Sequence, residues 1–305
     1  MGNRAIKGIA VAGPILIEKT ADPQCEGMHK LSGTGCVADI AGMLKAYLAC
    51  LPISAVGRVG ADAEGSFILR NFQNAGITTG GIRIIDEEPT GFLVDTAYQG
   101  AARNFGVADV VFRNISCSLL HLGHFLKLDK IDDGDGKRIL KHAKQCGMQT
   151  SISVLGGSSQ RYGAVQAVLP YTDYLIIRLE DGANLANMAP DAENIEKIAR
   201  RMLWHGVRKK VFILSDSWLA CCTRTQYALL GNYILPEESC CTEEQAYHAF
   251  CAGVLTGIAK GWPELKILEF ASSCVAVKRC TEEDAGNIRQ TEEFCKNFRR
   301  NKKVL

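Results

Sequence analysis

The sequence predicts an α/β fold built around a mostly parallel β-sheet. Short apolar runs alternate with helical patterns of about ten to fifteen residues, which is typical of right-handed β-α-β crossovers. The 305 residues are 47% hydrophobic and 22% charged, with only 8 prolines, and this composition indicates a globular chain with a large core. We expect one large domain over residues 1–305 with a small appendage.

The individual elements follow from their hydrophobic patterns. Residues 8–17 predict a buried strand that enters a Gly-Pro turn, and residues 36–50 predict a helix with apolar side chains at helical spacing. Later strands are predicted at 53–59, 118–125, 148–154, 172–178 and 209–215. Later helices are predicted at 66–76, 136–147, 193–206 and 246–261. A hairpin is predicted from residues 220–230 and 231–236.

Residues 91–112 break the alternation of strands and helices. Their polar and apolar side chains alternate between tight glycine turns, which predicts a small antiparallel lid beside the main sheet. In the last predicted helix, Phe250, Val254 and Ile258 recur every four residues, so we expect one face of that helix to be buried.

Composition and charge exclude several classes of protein. The 35 Lys and Arg nearly balance the 33 Asp and Glu, giving a net charge of +2, so we expect no nucleic-acid partner. No run of about 18 apolar residues and no signal-peptide pattern occurs, which predicts a cytoplasmic protein without a membrane partner. The 13 cysteines include no C-x-x-C pair and are expected to be reduced. His121 and His124 form an H-x-x-H pair without a third ligand nearby, so we expect no metal site.

Several motifs occur in a characteristic order. Residues 57–65 read G-x-V-G-x-D-x-x-G and are followed by an amphipathic helix and the pair Gly76-Ile77. Residues 89–91 read P-T-G, and Arg103-x-Phe105 follows. With residues 34–41 and 248–257, this pattern resembles the ribokinase-like PfkB carbohydrate kinases along nearly the whole chain.

The resemblance implies a ribokinase-like α/β fold with a central, mostly parallel sheet, helices on both of its faces and a small β lid. The lid is expected from segments near residues 14–34 and 88–112. The implied activity is transfer of a phosphoryl group from ATP, with Mg²⁺, to a hydroxyl of a small-molecule sugar or nucleoside. By analogy with the family, the lid suggests a homodimer.

The resemblance also assigns candidate site residues. His248 stands at the position of the family's catalytic base. The three preceding residues, Gln245, Ala246 and Tyr247, stand at the positions of the glycine-rich anion hole of the family. The positions that correspond to sugar-binding residues are Glu18, Gly35, Asp39 and Arg103. The positions that correspond to nucleotide-binding residues are Arg178, Asp181, Ser215 and Trp218.

Some of these residues have structural alternatives. Glu18 suits an exposed strand end as well as a ligand contact, and Asp39 suits an acid in the first turn of a helix as well as a ligand contact. Arg103 suits either an anion clamp or a solvated loop. Glu243 and Glu244 offer a displaced base or the ordinary acids of a helix start, for which Thr242 is the expected N-cap.

The catalytic segment departs from the family pattern. Side chains at Gln245 and Tyr247 would crowd an anion where glycine allows a close approach, and an imidazole at His248 reaches a different point from a carboxylate. Ser215 and Trp218 replace a glycine turn on the nucleotide side. We therefore expect sugar-kinase activity that is weak or lost. The alternative is a non-catalytic pseudokinase that binds a small ligand or a protein partner.

Overall fold

The computed structural model describes residues 5–21, 29–95, 97–156, 161–236, 238–281 and 286–301. The strands are β1 Ile9–Ala12, β2 Leu16–Ala21, β3 His29–Thr34, β4 Ile53–Gly60, β5 Thr78–Ile85, β6 Phe92–Val94, β7 Ala97–Gln99, β8 Leu119–Phe125, β9 Gln149–Val154, β10 Tyr174–Arg178, β11 Lys210–Leu214, β12 Trp218–Cys222 and β13 Tyr227–Gly231. The α-helices are α1 Gly35–Tyr47, α2 Ala63–Asn74, α3 Gly136–Gln145, α4 Tyr162–Val168, α5 Leu179–Ala186, α6 Ile195–Trp204, α7 Glu243–Lys260, α8 Glu264–Cys280 and α9 Ile288–Phe294.

The main sheet has nine strands in the order β13-β12-β11-β10-β9-β8-β1-β4-β5. The seven strands from β11 to β5 are parallel, and β12 and β13 continue the sheet as an antiparallel hairpin. From β1 the chain builds outward through β4 and β5, and it then returns to the other side of β1 to build outward through β8 to β11. The predicted parallel α/β sheet is confirmed.

Two hydrophobic cores lie on opposite faces of the sheet. In β1, Ile9 and Val11 belong to one core while Ala10 and Ala12 belong to the other, because successive side chains of a strand point to opposite faces. Helices α1, α2, α7 and α8 contribute to the first core, and α3 to α6 contribute to the second. Among the described residues, no helix has the length and apolar character needed to cross a membrane.

The lid consists of two small antiparallel hairpins, β2-β3 and β6-β7, outside the main sheet. A bridge between Leu16 and Gly91 joins them. Residues 22–28 of the first expected lid segment lie outside the described residues. The second segment is only partly β-structure, because residues 100–104, 107–109 and 112–114 form short 3₁₀ turns.

Some predicted elements need correction. The hairpin does not pair residues 220–230 with 231–236; β12 pairs with β13 across the turn at residues 223–226. The sequence patterns do not predict β5, whose side chains are mostly exposed or partly exposed at the sheet edge. They do not predict α8 either, because this helix buries a continuous run of residues over 270–277 and therefore lacks a clear amphipathic stripe.

The burial predicted for Phe250, Val254 and Ile258 in α7 is confirmed, but it is not limited to one face, because every residue from Ala246 to Ile258 is buried. The helix packs closely against α8 at its glycines. A Cβ atom added at Gly253 would lie 2.5 Å from the Cα atom of Ala271, a separation that requires the two helices to move apart.

Replacing Gly253 with alanine should therefore lower the free energy of unfolding by about 1–3 kcal/mol, the usual penalty of overpacking. The matched control is Gly42→Ala in the middle of α1, where an added Cβ meets no atom within 4 Å. That change should raise the free energy of unfolding by about 0.5–1 kcal/mol through helix propensity. Urea denaturation measures both, and a stabilised Gly253→Ala protein would contradict the close packing of α7 on α8.

Candidate active site

The candidate site lies at the carboxyl ends of β1 and β8. The chain leaves these neighbouring strands in opposite directions along the sheet, and such a switch in strand order opens a crevice at the strand ends. A cleft of about 740 Å³ lies here, lined by both lid hairpins and by the starts of α1, α2 and α7. The fold thus brings residues that are distant in sequence around one cavity.

Asp62 explains two of the sequence motifs. It is the N-cap of α2, where its side chain accepts a hydrogen bond of 2.7 Å from the amide of Gly65. The same carboxylate accepts bonds of 2.7 Å from the Thr90 amide and 2.5 Å from the Thr90 hydroxyl. Burial alone would raise the pKa of Asp62, but the bonds from Thr90 and Gly65 together lower it. The G-x-D-x-x-G and P-T-G motifs therefore hold the segment before the second lid hairpin against the start of α2, beside the cleft.

The expected sugar-binding positions divide into two groups. Glu18 on β2 and Gly35 and Asp39 on α1 line the cleft. Arg103 does not line it and is exposed in the 3₁₀ turn that follows β7. The geometry therefore favours the solvated alternative for Arg103.

His248 lies in the second turn of α7 at the floor of the cleft, with only 1% of its surface exposed. Its Nδ1 atom is 2.6 Å from Oδ2 of Asp39. Its Nε2 atom is 2.7 Å from Nε2 of His124, a fully buried residue near the end of β8. Both ring nitrogens of His248 are thus engaged by other side chains of the protein.

His124 connects His248 to a further buried group. The Tyr98 hydroxyl contacts Nδ1 of His124 and also lies 3.1 Å from Oε1 of Glu244. Burial, with a smaller effect of nearby His248, lowers the pKa of His124 well below its usual value. Burial and the neighbouring Glu244 carboxylate raise the pKa of Tyr98. The fold therefore creates a polar chain of Tyr98, His124, His248 and Asp39 beneath the cleft.

Backbone amides at the start of α7 are hydrogen-bonded to side chains of the same segment. Thr242 is the N-cap, as the sequence predicts, and its hydroxyl accepts a bond of 3.2 Å from the Gln245 amide. The Gln245 side chain in turn accepts a bond of 3.0 Å from the Thr242 amide. Two of the amide groups that a helix start offers to an anion are therefore satisfied within the helix. Ala246, the middle of the three anion-hole positions, is buried outside the cleft lining.

Tyr247 turns away from the cleft and fills the interior between α7 and the sheet. Its hydroxyl donates a hydrogen bond of 2.8 Å to the carbonyl of Ile176 on β10. The same oxygen accepts a bond of 3.2 Å from the amide of Val154 at the end of β9. Burial raises the pKa of this phenol. The side chain at this family glycine position is thus a fully bonded part of the core.

The four expected nucleotide-side residues do not line the cleft. The guanidinium of Arg178 lies within 3.8 Å of Glu180 and 3.7 Å of Glu243. Asp181 is buried and accepts bonds from the Tyr162 hydroxyl and the Gly156 amide.

The other two of these residues, Ser215 and Trp218, bond to each other. The Ser215 hydroxyl accepts a bond of 3.0 Å from the Trp218 amide and donates one of 3.0 Å to the Trp218 carbonyl. These contacts close the turn between β11 and β12. In this structure all four residues expected on the nucleotide side therefore have protein partners.

The sequence patterns do not predict Tyr98 or the arrangement around His124. The H-x-x-H pair has no third ligand nearby in the sequence, yet α7 brings Glu244 and His248 against His124. The other histidine, His121, lies apart and contacts the Ser151 hydroxyl at 3.1 Å. The H-x-x-H motif is visible in the sequence, but the groups that lie against His124 become apparent only when α7 is seen to pack beside β8.

A mostly parallel sheet of this strand order, with a β lid over a cleft at the strand ends, defines a ribokinase-like protein. Residues 29–217 match the profile of the pfkB family carbohydrate kinases, which is more than half of the chain. The chain therefore belongs to the PfkB family of carbohydrate kinases. No curated protein sequence matches it significantly.

Solved structures agree with this fold. A putative ribokinase II from E. coli, in complex with ATP and Mg²⁺, is 17% identical with a TM-score of 0.76, over 94% of this chain and 98% of that one. The 2-dehydro-3-deoxygluconokinase of Thermotoga maritima is 15% identical with a TM-score of 0.74, over 94% and 98%. The aminoimidazole riboside kinase of Salmonella enterica is 13% identical with a TM-score of 0.74, over 95% and 99%.

Proposed function

We propose that this PfkB-family protein binds a sugar or a nucleoside in the cleft under the lid and that its phosphoryl transfer is weak or lost. The observation that carries the proposal is the engagement of both nitrogens of His248, by Asp39 at 2.6 Å and by His124 at 2.7 Å. A general base needs a free lone pair within hydrogen-bond reach of the substrate proton. His248 at the family's base position has no nitrogen that is free for that task.

The start of α7 also argues against phosphate binding. Phosphate sites at helix starts rely on free amides and on the positive end of the helix dipole. Here Thr242 and Gln245 bond to each other's amides, while Glu243 and Glu244 add negative charge in the first turn. Tyr247 has a buried side chain where glycine would give a flexible backbone. The residues present do not fit a transferred phosphate, and we derive no step through ATP or Mg²⁺.

The cleft retains features that suit a ligand with many hydroxyl groups. Carboxylates of Glu18, Asp39 and Asp95 line it and can accept hydrogen bonds from such hydroxyls. Leu16, Phe92 and other apolar side chains of the lid line the same cavity and offer a surface for the carbon face of a sugar. This combination of acceptors and apolar walls supports a neutral sugar or nucleoside as the ligand.

A second candidate function is a kinase that retains turnover with an Asp39–His248 pair as its base. The 2.6 Å contact favours it, because a carboxylate on Nδ1 orients an imidazole so that Nε2 acts as the base. This reading requires His124 to release Nε2 of His248 when a substrate binds. Turnover that depends on His248 would distinguish it from the first proposal.

Ligand binding is tested by calorimetry and thermal unfolding with a panel of pentoses, hexoses and nucleosides. We expect at least one of them to stabilise the chain, by about 2.7 kcal/mol at a concentration one hundred times its Kd, and Mg-ATP to give no shift. Glu18→Gln in the cleft should weaken binding, whereas Arg103→Gln outside it should not. The proposal fails if no compound of the panel binds, or if Mg-ATP alone stabilises the protein in a saturable way.

The lid supports the expected homodimer as part of this proposal. Phe92, Leu93 and Val94 on β6 are 37%, 44% and 49% exposed, so the hairpin presents a short apolar edge. Light scattering after gel filtration should give twice the mass of one chain. Leu93→Lys should shift that mass toward the monomer, whereas Leu265→Lys, an exposed position on α8, should leave it unchanged.

A further inference from the structure

We propose that His124, Glu244 and His248 bind one divalent metal ion of the zinc type at the floor of the cleft. This inference goes beyond the proposed function, because neither sugar binding nor the loss of phosphoryl transfer requires a metal there. One ligand atom from each of the three side chains lies within 4.8 Å of the other two. The three residues come from β8 and from the first two turns of α7, which hold them in place.

The geometry points the ligand atoms at one another. The two Nε2 atoms are 2.7 Å apart, and Oε1 of Glu244 is 3.8 Å from Nε2 of His124. His124 is fully buried, while Glu244 and His248 line the cleft. An ion held by the three groups would therefore have protein on one side and open cleft on the other.

The surrounding hydrogen bonds allow two arrangements of the protons on Tyr98, His124 and His248. Asp39 accepts from Nδ1 of His248, which leaves the Nε2 of that neutral ring with a lone pair. Tyr98 has one hydroxyl proton and two neighbours, Nδ1 of His124 and the Glu244 carboxylate. If Tyr98 donates to His124, the Nε2–H of His124 donates to His248.

If Tyr98 instead donates to Glu244, Nδ1 of His124 carries the proton and donates to the Tyr98 oxygen. Both Nε2 lone pairs then face each other, and the Glu244 carboxylate lies beside them. Two lone pairs at 2.7 Å repel unless a cation lies between them. A bound metal ion stabilises this second arrangement, and Asp39 and Tyr98 then orient the two imidazoles from the outer shell.

The donor set selects the type of ion. Two imidazoles and one carboxylate suit Zn²⁺, whose three-ligand sites keep a fourth position for water or substrate. Zinc–nitrogen bonds of about 2.0–2.1 Å in a tetrahedron need the nitrogens roughly 3.3 Å apart, so the rings must separate by about 0.6 Å. The fourth position would face the cleft, where a ligand hydroxyl or a water molecule completes the shell.

The backbone at the end of β8 provides independent support. His124 and Leu126 have φ values of 63° and 76°, a left-handed conformation that residues other than glycine adopt rarely. Such a conformation costs about 1–3 kcal/mol and concentrates at functional sites. The left-handed backbone at His124 turns its ring toward α7 and interrupts the alternation of side chains between the two faces of the sheet.

Metal binding is tested on the full chain after treatment with a chelator and in the presence of a non-chelating reductant. Titration calorimetry with ZnCl₂ should give one equivalent of tight binding. His124→Gln and Glu244→Gln should each weaken it at least about tenfold, and Asp39→Asn should weaken it by about 10–100-fold through the outer shell. His142→Gln, at an exposed position on α3, is the matched control and should bind like the unmodified chain.

Cobalt substitution distinguishes this site from the cysteines. Co²⁺ at the three residues should give the visible bands of a nitrogen and oxygen site without a thiolate charge-transfer band. Glu244 is partly exposed, so Glu244→Gln should retain the unfolding temperature of the apo protein and keep the test valid if His124→Gln misfolds. The inference is overturned if no zinc binds, if Glu244→Gln binds zinc as tightly as the unmodified chain, or if the cobalt spectrum shows thiolate ligation. The metal titration contains no sugar, so failure of the sugar-binding proposal leaves its outcome unchanged.

Discussion

Replacing Tyr247 with alanine should lower the free energy of unfolding by about 3–5 kcal/mol, the range seen for large aromatic side chains removed from a core. Tyr247 is 1% exposed and packs among the helices on one face of the sheet. Its hydroxyl also ties β9 to β10 by bonding the Val154 amide and the Ile176 carbonyl. Loss of the ring leaves a cavity and two unpaired backbone groups.

Tyr247→Phe separates the two contributions. It keeps the ring and removes only the hydroxyl, so the loss should be about 1–3 kcal/mol, the usual penalty for unpaired buried groups. Denaturant unfolding with a constant m-value measures both variants. A loss below about 1 kcal/mol for Tyr247→Ala would mean that this side chain does not fill the core behind the site.

Restoring the family's acidic residue by His248→Asp should destabilise the protein at pH 7 by about 3–5 kcal/mol and should not restore turnover. In the metal-free chain the new carboxylate would be buried beside the carboxylates of Asp39 and Glu244. Like charges and burial both raise the pKa of a carboxyl group. Gln245 and Tyr247 would still occupy the family's glycine positions at the start of α7.

The destabilisation caused by His248→Asp should depend on pH. Because the folded-state pKa of the new carboxyl lies above its unfolded value, its penalty is full at pH above the folded-state pKa. The penalty shrinks as the pH falls through that pKa toward the unfolded value of about 3.9. His248→Asn is the uncharged control, and unfolding curves of the two variants should converge at acid pH. Curves that remain parallel from pH 7 to pH 4 would contradict a buried, like-charged environment.

The sequence predicted the parts of the fold that depend on local patterns. Short windows of sequence predicted the strands β1, β4 and β8 to β11 and the burial of Phe250, Val254 and Ile258 in α7, because alternating or helical hydrophobicity is a local property. The N-cap at Thr242 was predicted for the same reason. Elements with weak local patterns were missed, such as the exposed edge strand β5 and the nearly encircled helix α8.

The site was predictable only in part, because it depends on which elements become neighbours. Glu18, Asp39 and His248, which the motif positions assign to the site, line one cleft. The link from His248 to His124 joins residues 124 positions apart and cannot be read from either segment alone. The role of Tyr247 also required the structure, since its side chain turns from the expected anion site into the core.

The measurement that tests the central claim most directly is release of ADP from ATP over a panel of pentoses, hexoses and nucleosides, with Mg²⁺ present. The unmodified chain should release ADP no faster than His248→Ala and no faster than the triple variant Gln245→Gly, Tyr247→Gly, His248→Ala. This expectation follows from our proposal that His248 offers no free base and that the start of α7 offers no preorganised anion site, since these two features supply much of the rate of phosphoryl transfer. Robust sugar-dependent turnover that is abolished in His248→Ala would contradict this account and would make His248 the catalytic base.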